Sequence, residues 1–320
     1  MGAPLRVGLS ALPLTLHSPV TLLTGERLRR CYYPLRTPLW RHLMKKLKEF
    51  LLTGVALALV VSTGGAGSFA ASPNTAFAGT KRPERPLKTG NDFLAATFEG
   101  ESLNIPYRYK QFNAGAGEPI LFVFLHGNSA SGTDNQKQME RTPALDAASY
   151  IEKHGVSAFV LAPQCPENTP WRAISADLKS LCETFAREHG CAHIYIAGAS
   201  KGGSGIWAMA SQYPDFAEKA VAIASSPSDV NLENLLKTAL YAVIGSNDVV
   251  SNPDAKDNAL RSTKSDDEIA SQKVKRNADI VAELQYNGGN AHIKILEGYD
   301  HKKTCKEGLS EDILDWLFAK

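Results

Sequence analysis

A short stretch at residues 194–202, IYIAGASKG, joins two kinds of structure. Its first half is a run of small and β-branched side chains, typical of a strand buried within a sheet. Gly198 and Gly202 then flank Ser200 in the pattern G-x-S-x-G, and a helical pattern follows from residue 205. A strand that turns sharply into a helix needs small residues where the two approach each other. The stretch therefore predicts a strand–turn–helix unit with a serine in strained backbone geometry at its corner.

The rest of the chain alternates between apolar runs and amphipathic runs. Apolar runs predict strands at 119–127, 157–163, 192–198, 220–226, 239–245 and 291–298, and the stretches at 93–98 and 103–112 are typical of an antiparallel opening pair. Helical spacing predicts helices at 143–155, 174–190, 278–288, 309–320 and from 205, with a polar stretch at about 251–275 between them. Apolar strands that alternate with helices favour a parallel sheet covered on both faces. We predict an α/β fold in one domain over 93–320: a mostly parallel central sheet of about eight strands, opened by an antiparallel pair.

The serine hydroxyl points to nucleophilic catalysis, which requires a base and a carboxylate that orients the base. In folds that contain such a unit, the orienting acid follows a later strand along the chain and the base follows the last strand. Asp248 lies just past the strand that ends at Gly245, and His301 lies in a predicted loop before the final helix. We predict Ser200 as nucleophile, His301 as general base and Asp248 as the orienting acid.

Other acids and histidines compete for these roles. Asp254 and Asp257 remain alternatives to Asp248, whereas Asp300 is interpreted as a residue that makes loop hydrogen bonds. The remaining histidines lie near the start of the chain, before the serine, at helix ends or at the opposite edge of the sheet: His17, His42, His126, His154, His189, His193 and His292.

An oxyanion would need two backbone N–H groups in this arrangement. The N–H of Lys201 lies at the predicted helix N-terminus, directly after the serine. The second donor is expected from the loop after strand 119–127, at Asn128 or Ser129, with Asn128 preferred. His126, which ends that strand, is placed beside the substrate pocket.

Two other site chemistries fit the sequence poorly. A phosphate-binding Walker turn needs G-K-[ST], whereas the order here is S-K-G-G. Zinc spacing such as C-x-x-C is absent, so we expect no metal and no cofactor. Residues 79–320 carry 26 Lys or Arg against 31 Asp or Glu, a mildly acidic balance that argues against nucleic acid as a partner.

The first 78 residues have the composition of an export signal. A basic stretch at 44–48 precedes the apolar run FLLTGVALALVV and small-residue cleavage sites near Ala71 or Ala78. Twelve apolar residues are too few to span a bilayer, and no Cys follows them to support a lipoprotein anchor. We predict a signal peptide at 44–78, a linker at 79–92, and a secreted or periplasmic product without a stable membrane anchor. Residues 1–43 fit no such pattern and are interpreted as an extension that precedes the true start.

The cysteine count leaves two alternatives open in an exported protein. Four cysteines follow the predicted signal: Cys165, Cys182, Cys191 and Cys305. They allow two disulfides in three connectivities, or four free thiols.

These motifs together resemble the α/β-hydrolase superfamily, and within it the bacterial esterase and predicted-peptidase group related to polyhydroxybutyrate depolymerases and carboxylesterases. The resemblance covers about residues 117–305 and rests on FLHGNSASGTDN, APQCPENTPW, IAGASKGG and the loops that carry Asp248 and His301. It implies the α/β-hydrolase fold, and it implies that Trp171 lines the substrate pocket unless it simply packs over a loop. Lys201 departs from the Met, Leu, Gln or Asn that often follows the serine in such enzymes, which leaves the substrate class open.

The expected function is that of a serine hydrolase that cleaves carboxylic esters, either small molecules or a polymer, through an acyl-enzyme. A serine peptidase on the same triad is the second reading. A non-catalytic binding protein that retained the hydrolase fold is the third.

Overall fold

Eight strands form one sheet in the computed structural model, which describes residues 92–140, 142–250 and 264–319. The strands are β1 (Leu94–Glu99), β2 (Asn104–Phe112), β3 (Ile120–Leu125), β4 (Ala158–Pro163), β5 (His193–Ala199), β6 (Lys219–Ile223), β7 (Ala239–Gly245) and β8 (Ala291–Leu296). They lie in the order β1-β2-β4-β3-β5-β6-β7-β8. β2 pairs antiparallel with β1 and β4, and all other neighbours are parallel. The predicted sheet, including its antiparallel opening pair, is confirmed.

Helices cover both faces of this sheet. Those in the described residues are α1 (Pro143–Lys153), α2 (Ser175–Glu188), α3 (Lys201–Gln212), α4 (Leu232–Leu235), α5 (Asp266–Tyr286), α6 (His301–Glu307) and α7 (Glu311–Phe318). α2, α3 and α5 pack into one buried core, and α1 and α7 pack into the other. The predicted segments at 1–43 and 44–78, the linker up to residue 91, and the alternatives Asp254 and Asp257 lie outside the described residues.

The central strands are apolar throughout because they serve both cores. Along β3, Leu121, Val123 and Leu125 face one core, while Phe122 and Phe124 face the other. This division follows from the two-residue period of a strand. All five side chains are at most 2% exposed, so the strand contains no polar side chain to signal a solvated face.

Three helix starts differ from the sequence-based predictions. α5 begins at Asp266 rather than near 278, because Ser265 and Glu268 form a capping box and the first turn is acidic. Its first half is polar and largely exposed, so it lacks the apolar stripe that predicts a helix. α3 begins at Lys201 rather than 205, directly after the turn at the serine.

The third difference concerns His301, for which the sequence predicts a loop position. It is the first residue of α6, and Asp300 caps that helix by accepting a hydrogen bond from the N–H of Lys303 at 2.7 Å. A seven-residue helix is too short to show a clear apolar period. The cap at Asp300 therefore fixes the point after β8 at which α6 begins, and with it the backbone of His301.

The strand order creates a crevice at one edge of the sheet. β4 and β5 follow β3 in the chain but lie on opposite sides of it. From the carboxyl end of β3 the chain therefore runs toward β4, and from the carboxyl end of β5 it runs the opposite way, toward β6. In open α/β sheets such a switch point leaves room for a ligand, and Ser200 follows β5 at this position.

Candidate active site

Ser200 occupies a strained turn between β5 and α3. Its φ is +55° and its ψ is −116°, and its N–H donates to the carbonyl of Ile223 at 2.9 Å. A non-glycine residue adopts positive φ at a cost, and such strain is concentrated at functional sites. The neighbouring glycines permit the turn: a Cβ on Gly198 would lie 2.6 Å from the carbonyl carbon of Gly202, and one on Gly202 would overlap the carbonyl oxygen of Leu125.

The structure brings Ser200, His301 and Asp248 together from three different connections. His301 Nε2 lies 2.9 Å from Ser200 Oγ, and His301 Nδ1 lies 3.0 Å and 2.9 Å from the two carboxylate oxygens of Asp248. Asp248 is fully buried, whereas the His301 side chain is 20% exposed. The hydrogen bonds therefore run without a break from a buried carboxylate to a hydroxyl at the cavity wall.

The carboxylate of Asp248 is held in its ionised form. Burial by itself would raise the pKa of Asp248, but the hydrogen bond from His301 and the charge of Lys273 outweigh it and keep that pKa below its ordinary value. Asp248 Oδ1 also accepts from the N–H of Val250 at 3.1 Å. An ionised, fixed carboxylate is what an imidazole needs to keep its proton on Nδ1 and its lone pair on Nε2.

The two residues predicted to supply N–H donors, Asn128 and Lys201, lie on the same cavity as Ser200. Asn128 begins a short 3₁₀ turn after β3, and a Cβ built on Gly127 would lie only 3.6 Å from Cβ of Ser200. Lys201 begins α3, where the first N–H groups have no partner inside the helix. Asn128, Lys201 and Ser200 line the same cavity. The role of Asn128 and Lys201 as donors toward an oxyanion stays a prediction.

The side chain of Lys201 is held away from its backbone N–H. Its ammonium donates to Ser131 Oγ at 2.7 Å and approaches the carbonyl of Pro166 at 3.4 Å. Lys201 therefore ties the turn that carries Asn128 to the segment that carries Trp171. Sequence alone could not distinguish this role from a solvated lysine.

A cavity of about 560 Å³ opens beside Ser200. One wall comes from residues 168–172 and another from the start of α3. The loop after β6 supplies the third wall through Ala224, Ser225, Ser226 and Ser228. Sequence analysis identified none of these loop serines, because nothing local to them signals a pocket; only the chain path after β6 brings them there.

Trp171 lies in the wall of the cavity, whereas His126 lies behind it. Trp171 lines the cavity and is also packed, being 1% exposed with its indole N–H donating to the carbonyl of His126 at 3.1 Å. His126 is not among the cavity residues. It is 2% exposed, and its Nε2 accepts from the N–H of Cys165 at 2.9 Å. The sequence predicts His126 as a residue of the pocket wall, and this prediction is wrong. His126 instead lies behind the wall and supports it through its contacts with Cys165 and Trp171.

We expect the buried His126 to make the free energy of unfolding fall at acid pH. Burial lowers its pKa from 6.5 to about 4. The unfolded chain then takes up the proton first as the pH falls, so stability present above pH 6.5 is lost toward pH 4. The loss from this residue is on the order of 3 kcal/mol. Urea unfolding across this range should show a steeper pH dependence in the wild type than in a His126→Gln variant. Parallel curves would contradict the prediction.

The four cysteines of the described region are free thiols: Cys165, Cys182, Cys191 and Cys305. Of the two alternatives that the sequence left open, the structure has the one without disulfides. Within the described residues, no group of three or more His, Cys, Asp or Glu side chains is arranged to hold a metal ion. In the same part of the chain, no helix has the length and apolar character needed to cross a membrane.

Comparison with known proteins gives matches by structure. No family model matches the sequence, and no curated protein matches it either. A thermostable esterase superposes with a TM-score of 0.57 at 24% identity, over 71% of this chain and 62% of its own length. The chain thus spans about three fifths of that esterase.

Two further solved structures cover more of their own length. The feruloyl esterase module from Clostridium thermocellum has a TM-score of 0.55 at 11% identity, over 80% of this chain and 95% of the module. A poly(3-hydroxybutyrate) depolymerase from Bordetella parapertussis has a TM-score of 0.50 at 13% identity, over 71% and 90%. Likeness at such identities establishes the architecture, and the chain therefore has the α/β-hydrolase fold.

Proposed function

We propose that the protein is a serine hydrolase that cleaves carboxylic esters through a covalent acyl-enzyme. The observation that carries this proposal is the unbroken set of hydrogen bonds from Asp248 through His301 to Ser200, with 2.9 Å between His301 Nε2 and the serine oxygen. A nucleophile and a base within this distance, with the base oriented by a third group, is the arrangement that activates a hydroxyl.

The reaction follows from the positions of these atoms. Ser200 Oγ attacks the ester carbonyl carbon while His301 Nε2 takes its proton. The tetrahedral oxyanion accepts hydrogen bonds from the N–H groups of Asn128 and Lys201, each worth about 3 kcal/mol at the transition state. The C–O bond then breaks, and His301 gives its proton to the departing alcohol.

Water completes the cycle by the same route. His301 removes a proton from a water molecule, whose oxygen attacks the acyl carbon. The second oxyanion collapses, Ser200 leaves with the proton from His301, and the carboxylic acid is released. Asp248 stabilises the imidazolium in both halves and does not itself take the proton.

The cavity is large enough for a small-molecule ester or for the exposed end of a polymer. Its volume of about 560 Å³ falls within the usual range for small-molecule sites. Arg172 and Lys201 contribute cationic side chains to the lining, and within the described residues no Asp or Glu lines it. Lys273 also lines the cavity, but its charge is paired with that of Asp248. We therefore expect neutral or anionic esters to be accepted in preference to cationic ones. The three solved structures described above are named as esterases and a depolymerase, which agrees with ester cleavage.

The test combines turnover with covalent labelling of the full chain. Hydrolysis of p-nitrophenyl acetate, butyrate and octanoate is followed at 405 nm, and a fluorophosphonate adduct is located by peptide mass spectrometry. We expect turnover, with a chain-length preference that reflects the acyl space, and a single adduct at Ser200. A His301→Ala variant should lose both, because the hydroxyl then lacks its base.

Each other outcome assigns a different function. Labelling at Ser200 without turnover of any ester, together with cleavage of peptide substrates, would replace the esterase by a serine peptidase. A folded protein that neither labels nor turns over any substrate would be a non-catalytic binding protein. Export through residues 44–78 remains a prediction from the sequence and is tested by the N-terminal sequence of the product found outside the cytoplasm.

A further inference from the structure

Helix α5 places two buried polar side chains against the residues of the candidate active site. Lys273 and Asn277 lie one turn apart and are 8% and 1% exposed. Asn277 Nδ2 donates to the carbonyl of Ser225 at 3.0 Å and approaches Ser226 Oγ at 3.3 Å. Lys273, one turn earlier, contacts Asp248. Neither Lys273 nor Asn277 belongs to the set of Ser200, His301 and Asp248 described above.

The Lys273 ammonium has three partners for its three protons. It lies 2.8 Å from Oδ2 of Asp248, 2.8 Å from the carbonyl oxygen of Val250 and 3.3 Å from that of Ala224. The same Oδ2 lies 2.9 Å from Nδ1 of His301. One carboxylate oxygen of Asp248 is thus shared between an ammonium and the imidazole.

The location of this ammonium carries a cost. Burial lowers the pKa of Lys273, an effect that the charge of Asp248 opposes. A buried ion pair generally gains little over a well-packed apolar pair, so it is weak as a device for stability alone. Its contact with the acid of the triad indicates another role.

The charge of Lys273 has a defined effect on His301. The imidazolium is stabilised by the negative charge of Asp248, and a cation beside that carboxylate reduces this stabilisation. The three hydrogen bonds of Lys273 also hold Asp248 and the backbone at Val250 in one arrangement. Lys273 therefore acts on both the geometry and the protonation of the base.

We propose that Lys273 is a positioning residue of the active site, which holds the Asp248 carboxylate toward His301 and sets the pH below which the base is protonated and inactive. Where its test uses turnover, this inference rests on the proposed function. A role of this kind lies outside the three triad residues and was not indicated by the sequence.

Other titratable groups lie near His301 and Asp248 in the described residues. From α6, Cys305 Sγ lies 3.6 Å from His301 Nε2, but burial raises the pKa of that thiol to about 12, so it stays neutral in the range tested. Asp300 caps the same helix through the N–H of Lys303. From α3, Lys201 directs its ammonium to Ser131 and Pro166. Lys273 is thus the cation that contacts Asp248.

The test compares the pH dependence of kcat/KM for p-nitrophenyl butyrate among full-length variants. Lys273→Met removes the charge, and we expect the acid limb of the profile to move to higher pH by about one pH unit. Lys273→Arg keeps the charge, so its acid limb should stay near that of the wild type even if turnover falls. Lys275→Met is the matched control, because this exposed lysine of α5 pairs with Asp279 and lies away from the triad.

A second readout does not depend on turnover. The imidazole of His301 is followed by NMR through a pH titration, and its midpoint should rise in Lys273→Met and stay in place in Lys275→Met. If the methionine variant does not fold, Lys273→Gln serves instead, since it removes the charge and keeps a hydrogen-bond donor. An unmoved acid limb and midpoint in the folded uncharged variant would overturn the proposal, as would an equal shift in Lys273→Arg. A wild type without ester turnover would overturn the proposed function instead, and the NMR titration would still decide the role of Lys273.

Discussion

Replacing Ser200 by alanine is expected to lower kcat/KM for p-nitrophenyl esters by roughly 10⁴-fold or more, with the fold retained. The variant lacks the oxygen atom that forms the acyl-enzyme in the proposed mechanism, while the N–H groups of Asn128 and Lys201 and the cavity remain. Removal of one member of a triad typically leaves a residual rate of about 10³ to 10⁴ over water from such groups. The alanine side chain also fits the positive φ of this turn no worse than serine does.

Initial rates and circular dichroism together check this expectation. Ser204→Ala is the matched control, because Ser204 lies one turn further along α3 and lines the same cavity. It should keep kcat within about tenfold of the wild type, since no reacting atom is removed. Activity of Ser200→Ala above a tenth of the wild type would show that another residue is the nucleophile.

Replacing Gly202 by alanine is expected to destabilise the fold by more than about 4 kcal/mol, or to prevent folding. A Cβ at this position would overlap the carbonyl oxygen of Leu125 and lie 2.6 Å from its carbonyl carbon. Both atoms belong to the backbone of β3, the central strand between the two cores, so they cannot move aside as a side chain would. The helix-favouring effect of alanine over glycine, about 1 kcal/mol, is far too small to compensate.

Denaturant unfolding of Gly202→Ala and Ser204→Ala provides the comparison. Ser204 lies two residues further on the same helix and is half-buried, so its truncation leaves no backbone overlap and should change the free energy of unfolding by less than about 1 kcal/mol. A Gly202→Ala protein of wild-type stability would mean that α3 can shift away from β3, and that the close approach is not required by the fold.

Much of the fold was predicted from local patterns in the sequence. Sequence patterns located all eight strands, and for β3 to β7 the signal was the apolar run of a strand that is largely buried on both faces. β1, β2 and β8 are partly exposed, and Arg108, Lys110 and Lys294 lie within them. The G-x-S-x-G pattern located the turn at Ser200, because that turn requires glycines that leave room for neighbouring backbone. Both signals depend on residues a few positions apart, and sequence displays such relations directly.

Predictions that depended on surface or short elements were less complete. The polar first half of α5 was interpreted as part of an interruption, although Ser265 and Glu268 form its capping box. α6 was missed because its seven residues show no period. The choice of Asp248 over Asp254 and Asp257 came from its closeness to Gly245, and the structure places it against His301, while the alternatives lie outside the described residues.

By itself, then, the sequence determined the strands, the sharp turn and the order in which Ser200, Asp248 and His301 follow one another along the chain. The tertiary structure alone decided that Lys273 contacts Asp248, that His126 supports the pocket from behind, and that the loop serines after β6 line the cavity. The physical reason is the distance along the chain. Periodicity and turn chemistry act over a few residues, whereas these contacts join side chains from separate elements whose meeting depends on how helices pack on the finished sheet.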